Sequence, residues 1–124
     1  MAAGKVAAEV LKQTTGLTGL KVSRNPIHEL TVLYGKTLRV LQKMPDSAAY
    51  KKYTQEVVSH RANIVKSAKS VAEIEAGINS GQIEEVIIQA ENELNLSRKM
   101  LTWRPWEPLA KPPPPNQWTW PPVK

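Results

Sequence analysis

The sequence predicts an all-α fold: an antiparallel three-helix bundle with a kinked or broken third helix, followed by an extended Pro/Trp-rich C-terminal tail. Three observations predict it. Apolar residues recur at three- and four-residue spacing across residues 25–102, and no period-two alternation supports a sheet. Helix-start and helix-stop residues punctuate that pattern at short intervals, which implies short links between neighbouring helices. Eight of the ten prolines and all four tryptophans lie beyond residue 102, a composition that favours extended chain. The 124 residues therefore divide into a basic N-terminal segment (1–24), a helical bundle (25–102) and a tail (103–124).

The N-terminal segment is rich in small and basic residues, with apolar positions at Val6, Val10, Leu11, Leu17, Leu20 and Val22 interrupted by Gly16 and Gly19. It lacks the continuous apolar stretch of a secretory signal. A basic start with Glu9 as its one acid fits mitochondrial import instead. Helix one starts at Asn25-Pro26, a capping residue followed by a proline where the missing N–H costs nothing. Its apolar face is Ile27, Leu30, Leu33, Tyr34, Leu38, Leu41 and Met44, and Pro45 stops it. Asp46 or Ser47 caps helix two, whose expected face is Tyr50, Tyr53, Val57 and Ile64, with Val58 and Val65 beside it. Ser70 and Glu73 form a capping box that opens a short turn carrying Val71, Ile74 and Ile78. Gly77 and Gly81 weaken that run and kink or break it. The last helix has the cleanest pattern: Ile83, Ile87, Ala90, Leu94, Ser97 and Leu101, flanked by Val86, Ile88 and Met100. Arg98 and Lys99 sit near its C-terminus, where the helix dipole favours positive charge.

Composition excludes several functions. There is no cysteine, so disulfides, thiolate-held iron–sulfur clusters and sulfur-based zinc sites are excluded. The two histidines, His28 and His60, are too far apart for a local metal motif. No run of about eighteen apolar residues offers a transmembrane helix. The net charge of +6 suits nucleic acid, anionic lipid or an acidic protein patch. That charge is unevenly placed. Residues 70–97 carry six glutamates and no Lys or Arg, whereas every other part of the chain is net positive.

Several motifs resolve to bland readings. Gly35-Lys36-Thr37 resembles the end of a phosphate-binding loop, but Leu30 stands where that loop requires glycine, and no strand precedes it. Asn95-Leu96-Ser97 matches a glycosylation acceptor but lies inside a helix. His28 and His60 read as surface residues, since neither has a nucleophile or orienting partner nearby in sequence. Glu84, Glu85, Glu91 and Glu93 read as the solvated or partner-facing side of the last helix. No catalytic, cofactor or metal residue is expected.

The tail is the chemically active part of this reading. Trp103-Arg104-Pro105-Trp106 and Gln117-Trp118-Thr119-Trp120 flank four successive prolines, Pro112–Pro115, which favour a stiff polyproline II spacer. Trp and Arg are favoured anchors at interfaces. Trp103, Arg104, Trp106, Trp118 and Trp120 are therefore the candidate partner-interface residues, with self-packing on the bundle as the alternative.

Several stretches resemble a known family. They are Leu11-Lys12-Gln13-Thr14-Thr15-Gly16-Leu17-Thr18-Gly19-Leu20, Ala48-Ala49-Tyr50-Lys51-Lys52-Tyr53-Thr54, and Gly81-Gln82-Ile83-Glu84-Glu85-Val86-Ile87 with Glu93-Leu94-Asn95-Leu96-Ser97-Arg98-Lys99-Met100. With Trp103-Arg104-Pro105-Trp106-Glu107-Pro108-Leu109 and Gln117-Trp118-Thr119-Trp120-Pro121, they resemble the family of NADH dehydrogenase (ubiquinone) 1 alpha subcomplex subunit 5. The likeness runs in order from about residue 10 to 121 and departs at residues 1–10 and in the four-proline run. It implies an accessory subunit of mitochondrial respiratory-chain complex I, a helical bundle on the hydrophilic matrix arm. It further implies no catalytic residues, no flavin or iron–sulfur cluster of its own, and other complex I subunits as partners. The alternative is a basic helical RNA- or DNA-binding protein, for which the positive charge and stacking tryptophans would serve. The Lys/Arg-free segment argues against that alternative.

Overall fold

The computed structural model describes residues 12–122, so the first part of the import reading, residues 1–11, lies outside the described residues. The described residues form four helices rather than three: α1 (Pro26–Gln42), α2 (Ala49–Ser67), α3 (Val71–Ile78) and α4 (Ile83–Trp103). No strand occurs among the described residues.

α1 starts where the Asn-Pro signal places it. Pro26 takes the first helical position, and the Asn25 carbonyl accepts the Glu29 amide at 3.1 Å, though the Asn25 side chain makes no capping bond. Leu30, Tyr34, Thr37 and Leu41 form its buried face. The helix ends at Gln42, ahead of Pro45, and Met44 turns into the core just beyond.

α2 departs from the sequence reading twice. It begins at Ala49 with Ala48 at the N-cap, and neither Asp46 nor Ser47 caps it. Asp46 instead pairs with Lys51 at 2.7 Å. Its buried face is Thr54, Val58 and Val65, while Tyr53 and Val57 are 63% and 52% exposed. The expected face is thus rotated by roughly a quarter turn. The cause lies in what packs against it. Only the C-terminal part of the Tyr53–Val57–Ile64 row finds a neighbour, because α3 approaches there. A Cβ on Gly77 would stand 3.0 Å from Ile64 Cγ2, so the glycine is what admits that approach. The row carrying Val58 and Val65 faces α1 instead.

The expected broken third helix proves to be two separate helices. Ser70 Oγ accepts the Glu73 amide at 3.3 Å, and the Glu73 carboxylate accepts the Lys69 amide at 2.9 Å, so the capping signal for α3 holds. Asn79 then takes φ +57° and Gly81 φ +92°. Two left-handed residues within three positions redirect the chain too far for a kink. α4 buries Ile83, Ile87, Ala90, Leu94 and Ser97, as its spacing predicts, and Val86 as well.

α1 is the central element and packs along both α2 and α4, while α3 touches α2 and α4 more lightly. α2 runs antiparallel to α1. α4 runs parallel to α1, since Ser23 ahead of α1 meets Glu84 in the first turn of α4. At the other end Met44 and Pro45 share a cleft with Leu101 and Arg104. The main core lies towards the α3 end, where Leu30, Tyr34, Val58, Val65, Ile74, Ile83 and Val86 meet.

Candidate partner interface

Trp103 closes α4, and Arg104 follows in the left-handed conformation at φ +56°, turning the chain off the helix axis. A turn forms there: the Glu107 amide donates to the Arg104 carbonyl at 3.1 Å, and Arg104 Nε lies 3.4 Å from Glu107 Oε1. Both of those side chains are exposed, so the pair contributes little stability. Trp106 is half-buried over the cleft formed by Lys43, Met44, Pro45 and Leu101. From Glu107 to Pro122 every residue is exposed; Trp118 is 93% and Trp120 84% open to solvent. The structure thus gathers Trp103, Arg104 and Trp106 at one end of the helical body. Trp118 and Trp120 lie further along the tail, open to solvent. The tail does not close over the core. Each open indole could bury about 150–250 Å² on docking.

A second polar constellation escaped the sequence reading. Glu84, expected to face solvent or a partner, is only 3% exposed in its side chain. Lys12 Nζ lies 2.6 Å from Glu84 Oε1, and the Ser23 amide donates to Oε2 at 3.0 Å. Lys12 Nζ also donates to Gln82 Oε1, and Gln82 Nε2 donates to the Thr15 carbonyl, both at 2.7 Å. Thr15 Oγ1 in turn donates to the Leu20 carbonyl at 2.7 Å and tightens the loop, whose Gly16 and Gly19 have φ near +76° and +77°. Residues 12–23 are therefore strapped onto the first turn of α4. Burial raises the Glu84 pKa, but Lys12 and the Ser23 amide outweigh it and hold the carboxyl below its ordinary range. The glycines were a visible signal of a fixed loop. Nothing local linked Lys12 to a carboxylate 72 positions away.

A third cluster joins α2 to α4. Arg61 donates to Gln89 Oε1 at 3.0 Å and to Ser80 Oγ at 3.3 Å. Burial raises the Glu93 pKa beside it, and burial together with the Glu93 charge pushes Tyr50 up to about 12. These groups tie α2 to α4 and to the turn ahead of it. His28 and His60 are exposed, and Gly35-Lys36-Thr37 lies inside α1. Ser97 is buried in α4, donating to the Leu94 carbonyl at 2.8 Å. Among the described residues no group of three or more His, Asp or Glu converges as a metal site, and no helix is long and apolar enough to cross a membrane.

These features define a class: a small helical protein, strapped at one end and presenting an aromatic tail at the other. Comparison with known proteins makes the class specific. Residues 19–85 match the family described as the ETC complex I subunit conserved region. The chain is 52% identical over 114 residues to NADH dehydrogenase [ubiquinone] 1 alpha subcomplex subunit 5 of Mus musculus, covering 92% of this chain and 98% of that protein. It is 46% identical to the probable counterpart from Caenorhabditis elegans, over 97% of this chain and 80% of that protein. The probable mitochondrial counterpart of Arabidopsis thaliana is 38% identical, over 85% of this chain and 62% of that protein. The chain belongs to the family of complex I alpha subcomplex subunit 5, as the sequence resemblance implied.

Proposed function

We propose that this protein is a non-catalytic accessory subunit of mitochondrial respiratory-chain complex I. It sits peripherally on the matrix side of the inner membrane, in the hydrophilic arm, and supports NADH-to-ubiquinone electron transfer carried out by neighbouring core subunits. The observation that carries this reading is identity of about half of all positions to relatives named as that subunit, over nearly the whole of both chains. The relatives supply no support for the nucleic-acid alternative, which is set aside. Within this function the tail is the anchor: Trp103, Arg104 and Trp106 brace the end of the body, and Trp118 and Trp120 engage a neighbour.

The test is complementation of cells lacking the subunit. The full chain is expected to co-migrate with complex I on a native gel and restore its assembly. A chain lacking residues 103–124 is expected to incorporate poorly. Failure of the full chain to co-migrate would refute the accessory-subunit reading. Normal assembly with the truncated chain would refute the anchor alone.

A further inference from the structure

The acidic and basic side chains are used differently. Six carboxylates accept hydrogen bonds within the chain, Asp46 from Lys51 Nζ at 2.7 Å among them. Glu73 accepts the Lys69 amide, Glu75 the Ile83 amide at 2.7 Å, and Glu85 the Gln82 amide at 2.8 Å. Glu84 holds Ser23 and Lys12, and Glu29 accepts Ser23 Oγ at 3.1 Å. Most of these carboxylates meet backbone amides at or near helix starts, where negative charge is favoured. Four of the six glutamates of residues 70–97 are therefore engaged in holding helix starts and the N-terminal strap, with Glu84 buried.

The cations of α1 have no such work. Lys36, Arg39 and Lys43 recur at three- and four-residue spacing on the side opposite Leu30, Tyr34, Thr37 and Leu41. All three are exposed, and none is ion-paired among the described residues. The one acid within α1 is Glu29, at the far end. The ridge runs to the end of the body where Lys43 lines the cleft with Leu101, Arg104 and Trp106. This stretch of outward positive charge and the root of the tail therefore meet on one surface.

We infer that the α1 ridge Lys36–Arg39–Lys43 is a docking surface for an acidic face of a neighbouring protein subunit, continuous with the tail anchor. This rests on the accessory-subunit reading above and deepens it. A protein partner fits better than a lipid surface. The apolar side of α1 is sealed in the core, so the helix has no face to lay into a bilayer. Exposed, unpaired cations on a rigid helix steer association and fix register against complementary charge.

The experiment uses the full-length chain. Wild type, K36E/R39E/K43E, the neutralised K36Q/R39Q/K43Q and a distant control, K66E/K69E, are expressed in cells lacking the subunit. Circular dichroism of each purified chain checks the fold. The charge-reversed ridge is expected to reduce incorporation into complex I by about tenfold or more, the neutralised ridge by less, and the control little. Wild-type association with complex I lacking the subunit is expected to weaken as KCl rises from about 50 to 300 mM, and that salt dependence to flatten in the neutralised variant. Wild-type incorporation by both folded ridge variants would overturn the proposal. So would tight binding of the wild-type chain to phosphatidylcholine–cardiolipin vesicles that the neutralised variant loses, since the ridge would then serve lipid. If wild type itself fails to join complex I, the accessory-subunit reading falls instead.

Discussion

Leu94 and Glu84 occupy the same helix, and the two required different kinds of information. Leu94 lies on the buried face of α4, and its place was readable from the series Ile83, Ile87, Ala90, Leu94 alone. Leu94→Asp is expected to destabilise the isolated protein by several kcal/mol, because a carboxylate there must be desolvated or protonated without a partner. A thermal or urea midpoint unchanged from wild type would show that the site is open. Glu84 is buried as well, yet its neighbour in sequence Glu85 is a routine cap, and charge at position 84 gave no cue of burial. Its partners come from a loop far away in the chain, which no helical periodicity encodes. Glu84→Gln keeps the shape and removes the charge. It is expected to cost about 1–2 kcal/mol at neutral pH, since Lys12 remains partly solvated. The sign with pH follows from the lowered pKa. The native state holds the charged form more tightly than the unfolded chain, so the Glu84 contribution is complete above its ordinary value of 4.5 and fades as pH falls through and below it. Denaturant titrations of both proteins across that range should show the gap between them closing on the acid side. Glu93, raised by burial, works in the opposite sense in both proteins and so cancels from the difference.

α2 shows where reading one element at a time fails. α1 and α4 each have a single apolar stripe, so their buried faces follow from spacing. α2 has two adjacent rows, one with Tyr53, Val57 and Ile64 and one with Val58 and Val65. The first is the more apolar, yet the second faces α1. What decides is the reach of α3, a helix of eight residues that covers Ile64 and stops short of Val57. That length is set by Asn79 and Gly81 at positive φ, which also turn the expected broken helix into two. The neighbours Val57 and Val58 make a paired test of the rotated face. Val58→Ser is expected to cost about 2–3 kcal/mol, by lost burial and a hydroxyl placed in the core. Val57→Ser should stay within about 0.5 kcal/mol of wild type. Equal costs, measured by chemical denaturation, would restore the face expected from sequence.

At the scale of the whole molecule, proline and tryptophan are segregated sharply, and the composition boundary near residue 102 falls at the end of α4, which runs to Trp103. Composition could not say whether the tail covers the body, since that depends on whether the core has an open side. The four helices close the core without it, and only Trp106 gains partial cover, in the cleft beside Met44 and Leu101. Every tryptophan of the protein lies between Trp103 and Trp120, so intrinsic fluorescence reports the tail while far-ultraviolet circular dichroism reports the helices. This separation gives an unusually direct test. In the isolated protein the emission is expected to be red-shifted and strongly quenched by acrylamide, dominated by Trp118 and Trp120. Urea should remove the helical signal in one cooperative step while changing the fluorescence little, the residual change coming from Trp106 and from Trp103 at the end of α4. Removing residues 107–122, which are exposed throughout, should leave the helical midpoint within a few degrees of wild type, because almost no apolar area is lost from the core. A large fluorescence change coincident with the helical transition, or a midpoint lowered by about ten degrees or more, would mean that the tail packs on its own body. Its tryptophans would then be part of the core, and the anchor would have to be sought among the helices, with the unpaired cations of α1 as the surface that remains.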